Sequence, residues 1–240
     1  MTKHTARTRR REQDAWWSAA RLTIGAGAKL AFRFRCSGVE HLPATGGALL
    51  CYNHVSVLDP IPVAVAVTDF GRIVKFMALT EDFNRPVVGW TLRRLGHIPL
   101  RRGAGDWAAI EDISRHLKDG FLAAMSPEGR VGDGDSLLPG QKGAARVALA
   151  AQAPVVPVGV WGTQRRWPRS GLRLGPPARP VVAVVFGPPI PALGDQRSRL
   201  DVRTLTDGIM AGIGDAAAAA RTISAASNGR RSASIPGGWR

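Results

Sequence analysis

Two kinds of apolar spacing divide the chain. Unbroken apolar runs of three to six residues at 48–51, 98–100, 121–125, 155–160 and 181–186 have the density of strands buried on both faces. A run at 72–78 is a further strand candidate. Phe32, Phe34 and Cys36 alternate with Arg33 and Arg35, the period of a strand with one solvated face. Elsewhere apolar positions fall three and four apart, as on one side of a helix. That spacing predicts helices over 61–67, 86–95, 106–118, 142–152 and 200–220. Trp107, Ile110, Ile113 and Leu117 share one face of the third of these, and Leu205, Ile209 and Ile213 one face of the last. Gly96 and Gly120 stand where helix C-termini favour a left-handed residue. A first helix is predicted over 14–30, with Trp17, Ala20, Ile24, Ala28 and Ala31 facing inward and Gly25 and Gly27 weakening it.

Strands alternating with helices through short connections indicate a single α/β domain, a mainly parallel sheet flanked by helices. A length of 240 residues suits one such domain. The expected organisation is a basic, disordered start over 1–11, an N-terminal helical segment over 12–34, the main domain over 35–221 and a disordered Ser/Gly/Arg-rich tail over 222–240. Trp16 and Trp17, close to Arg21 and Lys29, suit either a lipid interface or packing against the domain. The longest charge-free windows, 41–58 and 147–164, reach 18 residues each, but both contain Pro and Gly and the first holds Asn53 and His54. They read as strand plus loop, so no membrane span is expected, and no secretory leader pattern opens the chain. Cys36 and Cys51 form no spaced framework and suit free thiols in a reducing compartment.

Charge adds a preference for anionic partners. The net charge is +15, of which residues 1–35 hold +7. No acid occurs between Asp135 and Asp195, while that interval carries seven Lys and Arg side chains. A membrane surface, nucleic acid or a phosphorylated small molecule would complement this balance.

The chemistry concentrates where strands empty into loops, the edge at which open α/β sheets bind ligands. Asn53-His54-Val55-Ser56-Val57-Leu58-Asp59-Pro60 follows the 48–51 run. A histidine near a carboxylate is the arrangement of a general base with its orienting partner. Five residues apart, the two would lie about 140° apart on a helix, so they meet only if the chain folds back between them. Asp59 is also placed to cap a helix that begins at Pro60. Arg101 and Arg102 follow the 98–100 strand, and a guanidinium suits bidentate phosphate binding. Ser126-Pro127-Glu128-Gly129-Arg130 follows the 121–125 strand, where Glu128 could accept hydrogen bonds from a substrate's hydroxyls or hold an arginine in place. Pro157 by itself suggests an edge strand or a bend.

Together these blocks resemble the glycerolipid acyltransferases, most closely the bacterial 1-acyl-glycerol-3-phosphate (lysophosphatidic acid) acyltransferases. Asn53 to Asp59 matches their N-H-x-S-x-x-D block, Gly96 to Arg102 their G-x-x-x-x-x-R block, and Ser126-Pro127-Glu128-Gly129 their F-P-E-G block. Val155-Val156-Pro157-Val158 resembles the fourth, whose proline lies near the acyl site. The resemblance covers roughly 35–190, with Ser126 where the family has an aromatic and Arg130-Val131 where it has Thr-Arg. It implies direct transfer of an acyl chain from acyl-CoA or acyl-carrier protein to a lysophospholipid hydroxyl, giving phosphatidic acid. In that scheme His54 is the base and Asp59 its partner. Arg102 binds the acceptor phosphate, Glu128, Gly129, Arg130, Asn53 and Ser56 shape the substrate site, and Pro157 belongs to the acyl site. No metal or cofactor is implied beyond the acyl donor. The expected place is the cytoplasm, peripheral to the inner face of the cell membrane, with an anionic membrane surface as partner and no nucleic acid. The same pair could serve a hydrolase, or the family fold another lysolipid or alcohol. A non-catalytic basic protein binding membrane or nucleic acid is the reading of another class, and no recognised nucleic-acid motif supports its second form.

Overall fold

The computed structural model describes residues 15–101, 107–173, 175 and 179–229. Residues 15–31 form α1, interrupted by a π-helical turn at Arg21–Gly25. Then follow β1 (Arg33–Ser37), β2 (Ala48–Tyr52), α2 (Pro60–Asp69), β3 (Val74–Leu79), the short α3 (Thr80–Phe83) and α4 (Pro86–Arg94). The second half holds β4 (Ile98–Leu100), α5 (Trp107–Lys118), β5 (Leu122–Met125), α6 (Gly143–Ala151), β6 (Val155–Trp161), β7 (Val181–Phe186) and α7 (Arg199–Gly229). Proline opens both α2 and α4, where a missing N–H costs no helical bond.

The strands form one seven-stranded sheet in the order β1-β7-β6-β2-β5-β3-β4. Every neighbouring pair is parallel except β6 with β7. The expected mainly parallel α/β sheet is therefore what the chain builds. Alternation along each strand sends side chains into two cores. Leu49, Cys51, Ala123 and Val155 meet α5, α6 and α7 on one face. Leu50, Tyr52, Ala124, Val156 and Val158 meet α1, α2 and Leu95 on the other.

Four expectations need correction. The inward face of α1 is not the one that regular spacing gives, because the π-turn inserts extra residues per turn. Gly25 and Ala28 are buried, while Ile24 is 43% exposed. The helix also belongs to the domain, since Trp17 lies in the core and its Nε1 donates to Leu95 O at 3.0 Å. Trp107 leaves the apolar face of α5. It is 51% exposed, under the Arg146 guanidinium at 5.5 Å, while Ile110, Ile113 and Leu117 are buried. Finally, the last helix does not stop near 220 but runs to Gly229, with Ser224 buried and donating to Val181 O at 3.1 Å. The small residues that read as a tail are those that let a helix lie close to a sheet. Residues 1–14 and 230–240 fall outside the described ones, so the disorder expected of them does too.

Pro157 is the fourth correction. It sits in β6, an interior strand, and faces α7, where a Cβ on Gly212 would come within 2.9 Å of its ring. The missing N–H falls in a break of the antiparallel pairing: Val158 pairs with Phe186, Gly187 N–H donates to Pro157 O at 2.8 Å, and pairing resumes at the Val155–Ile190 bridge. A proline is tolerated in this central strand because it stands at that break, where the ladder asks no N–H of it.

Candidate active site

β2 is buried along its length and delivers Asn53 and His54 to the C-terminal edge of the sheet. Asn53 has its own strand-like task. Its Nδ2 donates to Val160 O at 3.0 Å and its Oδ1 accepts from Val160 N at 2.7 Å. The amide thus continues the pairing of β2 with β6 for one more rung. Beyond it the chain leaves the sheet and folds back, Asp59 N–H donating to Ser56 O at 3.1 Å.

The fold-back brings His54 and Asp59 together, with Nδ1 at 2.9 Å from Oδ2. Oδ2 also accepts the backbone N–H groups of Val55 at 2.7 Å and Ser56 at 2.8 Å. Oδ1 accepts the hydroxyl of Thr163, which lies in the turn after β6. Asp59 does not cap α2. Its backbone is already helical and no cap bond forms, because the carboxylate points back into the loop. A buried carboxylate so surrounded by donors is an acceptor only, so the bonded His54 nitrogen carries its proton on Nδ1. Nε2 is left as the nitrogen able to take a proton, on a side chain that is partly open while Asp59 is wholly enclosed.

The loop after β5 clamps the histidine backbone. His54 N–H donates to Glu128 Oε1 at 2.7 Å, and His54 O accepts from Gly132 N at 2.7 Å. The other Glu128 oxygen accepts from Leu138 N at 2.8 Å. Burial raises the Glu128 carboxyl above its ordinary value, and these two N–H donors pull the other way. Tyr52 lies edge-on to the imidazole with ring centres 5.9 Å apart, and its phenol is pushed up by burial. Cys51, three residues before His54, is likewise pushed up by burial and offers no ready thiolate.

The fold-back brings together His54 and Asp59, the pair expected from the sequence, while several expected companions are held inside the protein. Asn53, Ser56 and Glu128 were expected to meet substrate; all three are buried, with their polar atoms bound inside the protein. Ser56 Oγ donates to Trp167 O at 2.6 Å and accepts from Leu58 N at 3.1 Å. A buried polar group must find such a partner, so a motif's polar residue is as readily scaffold as contact. Pro157 lies on the α7 side of the sheet, away from the Tyr52 side where the imidazole packs. Gly129, with φ 68°, and Arg130 are exposed beside Glu128. Arg102 lies outside the described residues. Thr163 went unnoticed, since a threonine after a strand carries no local signal of a partner 104 residues away.

An apolar groove of about 420 Å³ lies between α1, α2 and α4 and reaches Val57 and Pro60, on either side of Asp59 in the chain. It begins at Val57 and Pro60 and runs past Ala64 and Val65 toward Trp17 and His97. Around it Leu22, Val87, Val88 and Trp90 are exposed. His97, from the Gly96–Arg102 block, accepts Phe76 N–H on Nδ1 at 3.0 Å and is lowered by burial to about 4. Among the described residues no helix is long and apolar enough to cross a membrane.

A family model described as Acyltransferase matches residues 33–161. A Mycobacterium leprae protein of uncharacterised function is 34% identical over 149 residues, covering 57% of this chain and 38% of that protein. The chloroplastic 1-acyl-sn-glycerol-3-phosphate acyltransferase of Brassica napus is 30% identical over 135 residues, covering 55% of this chain and 38% of its own. The chain therefore spans well under half the length of these relatives. In fold it is similar to the crystal structure of the 1-acyl-sn-glycerophosphate acyltransferase of Thermotoga maritima. The TM-score is 0.67 at 21% identity, over 97% of this chain and 86% of that one.

Proposed function

This chain belongs to the acyltransferase family, and from that premise we propose that it acylates 1-acyl-glycerol-3-phosphate to phosphatidic acid, using acyl-CoA or acyl-carrier protein as donor. The observation that carries this reading is the His54–Asp59 pair, at 2.9 Å, in a stretch of chain whose Val57 and Pro60 line the apolar groove. His54 Nε2 takes the proton of the acceptor hydroxyl as its oxygen attacks the thioester carbonyl. Asp59 holds Nδ1–H and stabilises the imidazolium that forms. The tetrahedral adduct collapses, the C–S bond breaks, and the thiolate takes up the proton that His54 gathered. No acyl-enzyme is formed, and the ready departure of a thiolate leaves no step needing a metal or further cofactor.

The groove, lined mostly by apolar side chains, takes an acyl chain, and its exposed Leu22, Val87 and Trp90 rim meets the surface of the membrane that holds the acceptor. Arg130, exposed beside Glu128, is a contact for the acceptor phosphate together with Arg102. The relative from Brassica napus, named for this same acceptor, supports the choice.

The experiment is an acceptor screen: purified protein, acyl-CoA, and lysophosphatidic acid alongside lysophospholipids without the terminal phosphate, with products read by mass spectrometry. Phosphatidic acid as the main product is expected. Transfer only to other acceptors would replace the substrate and keep the chemistry. Free fatty acid alone would make the protein a hydrolase, and salt-dependent DNA binding without any turnover would remove the enzyme reading.

A further inference from the structure

We propose that Thr163 is a positioning residue for the transfer reaction, fixing the carboxylate through which His54 is oriented; this deepens the acyl-transfer reading above and rests on it. Asp59 is fully enclosed, and three of its donors, His54 Nδ1 and the N–H groups of Val55 and Ser56, converge on Oδ2. All three come from the same six-residue loop. A carboxylate held at one oxygen only can turn about its Cβ–Cγ bond and exchange its oxygens. The Thr163 hydroxyl on Oδ1 removes that freedom and anchors the loop to the end of β6.

The chain makes a special corner to bring the hydroxyl there. Gly162 adopts φ 110°, and a Cβ at that position would lie 2.1 Å from Val181 O, so both its conformation and its closeness to β7 demand glycine. Gly162 N–H donates to Gln164 Oε1 at 2.7 Å, fixing the turn from its far side. The backbone oxygen of Thr163 is occupied by Arg166 N at 2.9 Å and Trp167 N at 3.1 Å, while its side chain points to Asp59. Four residues later Trp167 O accepts the Ser56 hydroxyl at 2.6 Å. The 163–167 turn thus grips the 54–59 loop at two points. Thr163 is itself wholly buried and meets no substrate. It acts through Asp59.

Thr163→Val removes the hydroxyl at nearly constant volume, and Thr163→Ser keeps it. Partners one layer behind a functional imidazole matter by about 10–100-fold, and T163V is expected to lower kcat by that factor with both KM values changed less than about twofold. T163S is expected to stay within about threefold of the unmodified protein. In an Asp59→Asn background T163V adds no further loss, because the residue through which it works is already altered. A readout without substrate is the downfield proton of His54 Nδ1 by NMR, which T163V moves upfield and T163S leaves in place. That signal reports on the positioning even if the acceptor proves to be another lipid. Unchanged kcat in T163V, an unmoved proton signal, or an equal loss in the D59N background would each overturn the proposal. Should T163V fail to fold, Thr163→Cys takes its place with the same comparisons.

Discussion

On one face of the sheet α7 lies so close to β6 that a Cβ on Gly159 would come within 2.1 Å of the Ala216 backbone. On the other, α1, α2 and α4 stand far enough apart to leave an apolar groove of about 420 Å³. The same strands supply both faces, with equally apolar residues, so composition does not separate them. Contact distance does. Small residues on α7 and β6 close the first face, whereas a π-turn and the Trp17–Leu95 bond hold α1 across the second without filling it. The closed face carries stability, and the open one keeps its apolar lining accessible.

Breaking the dyad, which stands on the edge between the two faces, has the largest expected effect. His54→Ala should lower kcat by about a thousandfold or more while leaving the unfolding midpoint within a few degrees. Activity retained in that variant would remove the mechanism. The next test addresses the open face. His97 is neutral in the folded protein, lowered to about 4, whereas the unfolded chain binds its proton near 6.5. The unfolded state therefore holds more protons between those values, so stability is full above pH 6.5 and is lost as pH falls toward 4. The loss should be about 3 kcal/mol, visible in urea titrations at several pH values and flattened by His97→Gln. On the closed face, Gly159→Ala should cost about 2 kcal/mol, because α7 backbone rather than a flexible side chain must move. Chemical denaturation measures that loss, with turnover per folded molecule unchanged. The smallest effect belongs to Ala64→Phe, which fills part of the groove. It should shift donor preference toward shorter acyl chains by about 1–2 kcal/mol in kcat/KM, with no loss of stability, as measured across a chain-length series. If Gly159→Ala changed chain-length preference and Ala64→Phe did not, the two faces would have exchanged roles.

The strands and the dyad were legible because local signals determine them. An apolar run that ends at Asn53 can hardly be other than a strand end, and five residues between His54 and Asp59 require a fold-back. What escaped depends on partners far along the chain. Thr163 becomes part of the site only through the β2–β6 pairing, and the scaffold roles of Asn53 and Glu128 follow from burial that no motif displays. Ile24 was placed inward because regular helical spacing cannot foresee a π-turn. The end of α7 was read as a tail because Ala, Ser and Gly look alike in a mobile segment and in a tightly seated helix. Arg102, named from the Gly96–Arg102 block, falls outside the described residues.

The antiparallel pairing of β6 with β7 also decides where α7 ends. β7 runs against β6, so α7 starts at the edge opposite His54 and travels back, bringing Arg221 over the Trp161 ring at 4.8 Å. Another eight residues carry the helix about 12 Å further to Gly229. The end of α7 therefore stands on the same side as the His54–Asp59 loop. On the proposed acyl-transfer reading, a bulky fluorescent or affinity fusion joined after α7 should slow turnover through crowding alone. For immobilised assays, attachment through a solvent-facing position near Phe121, at the opposite edge, leaves that side clear.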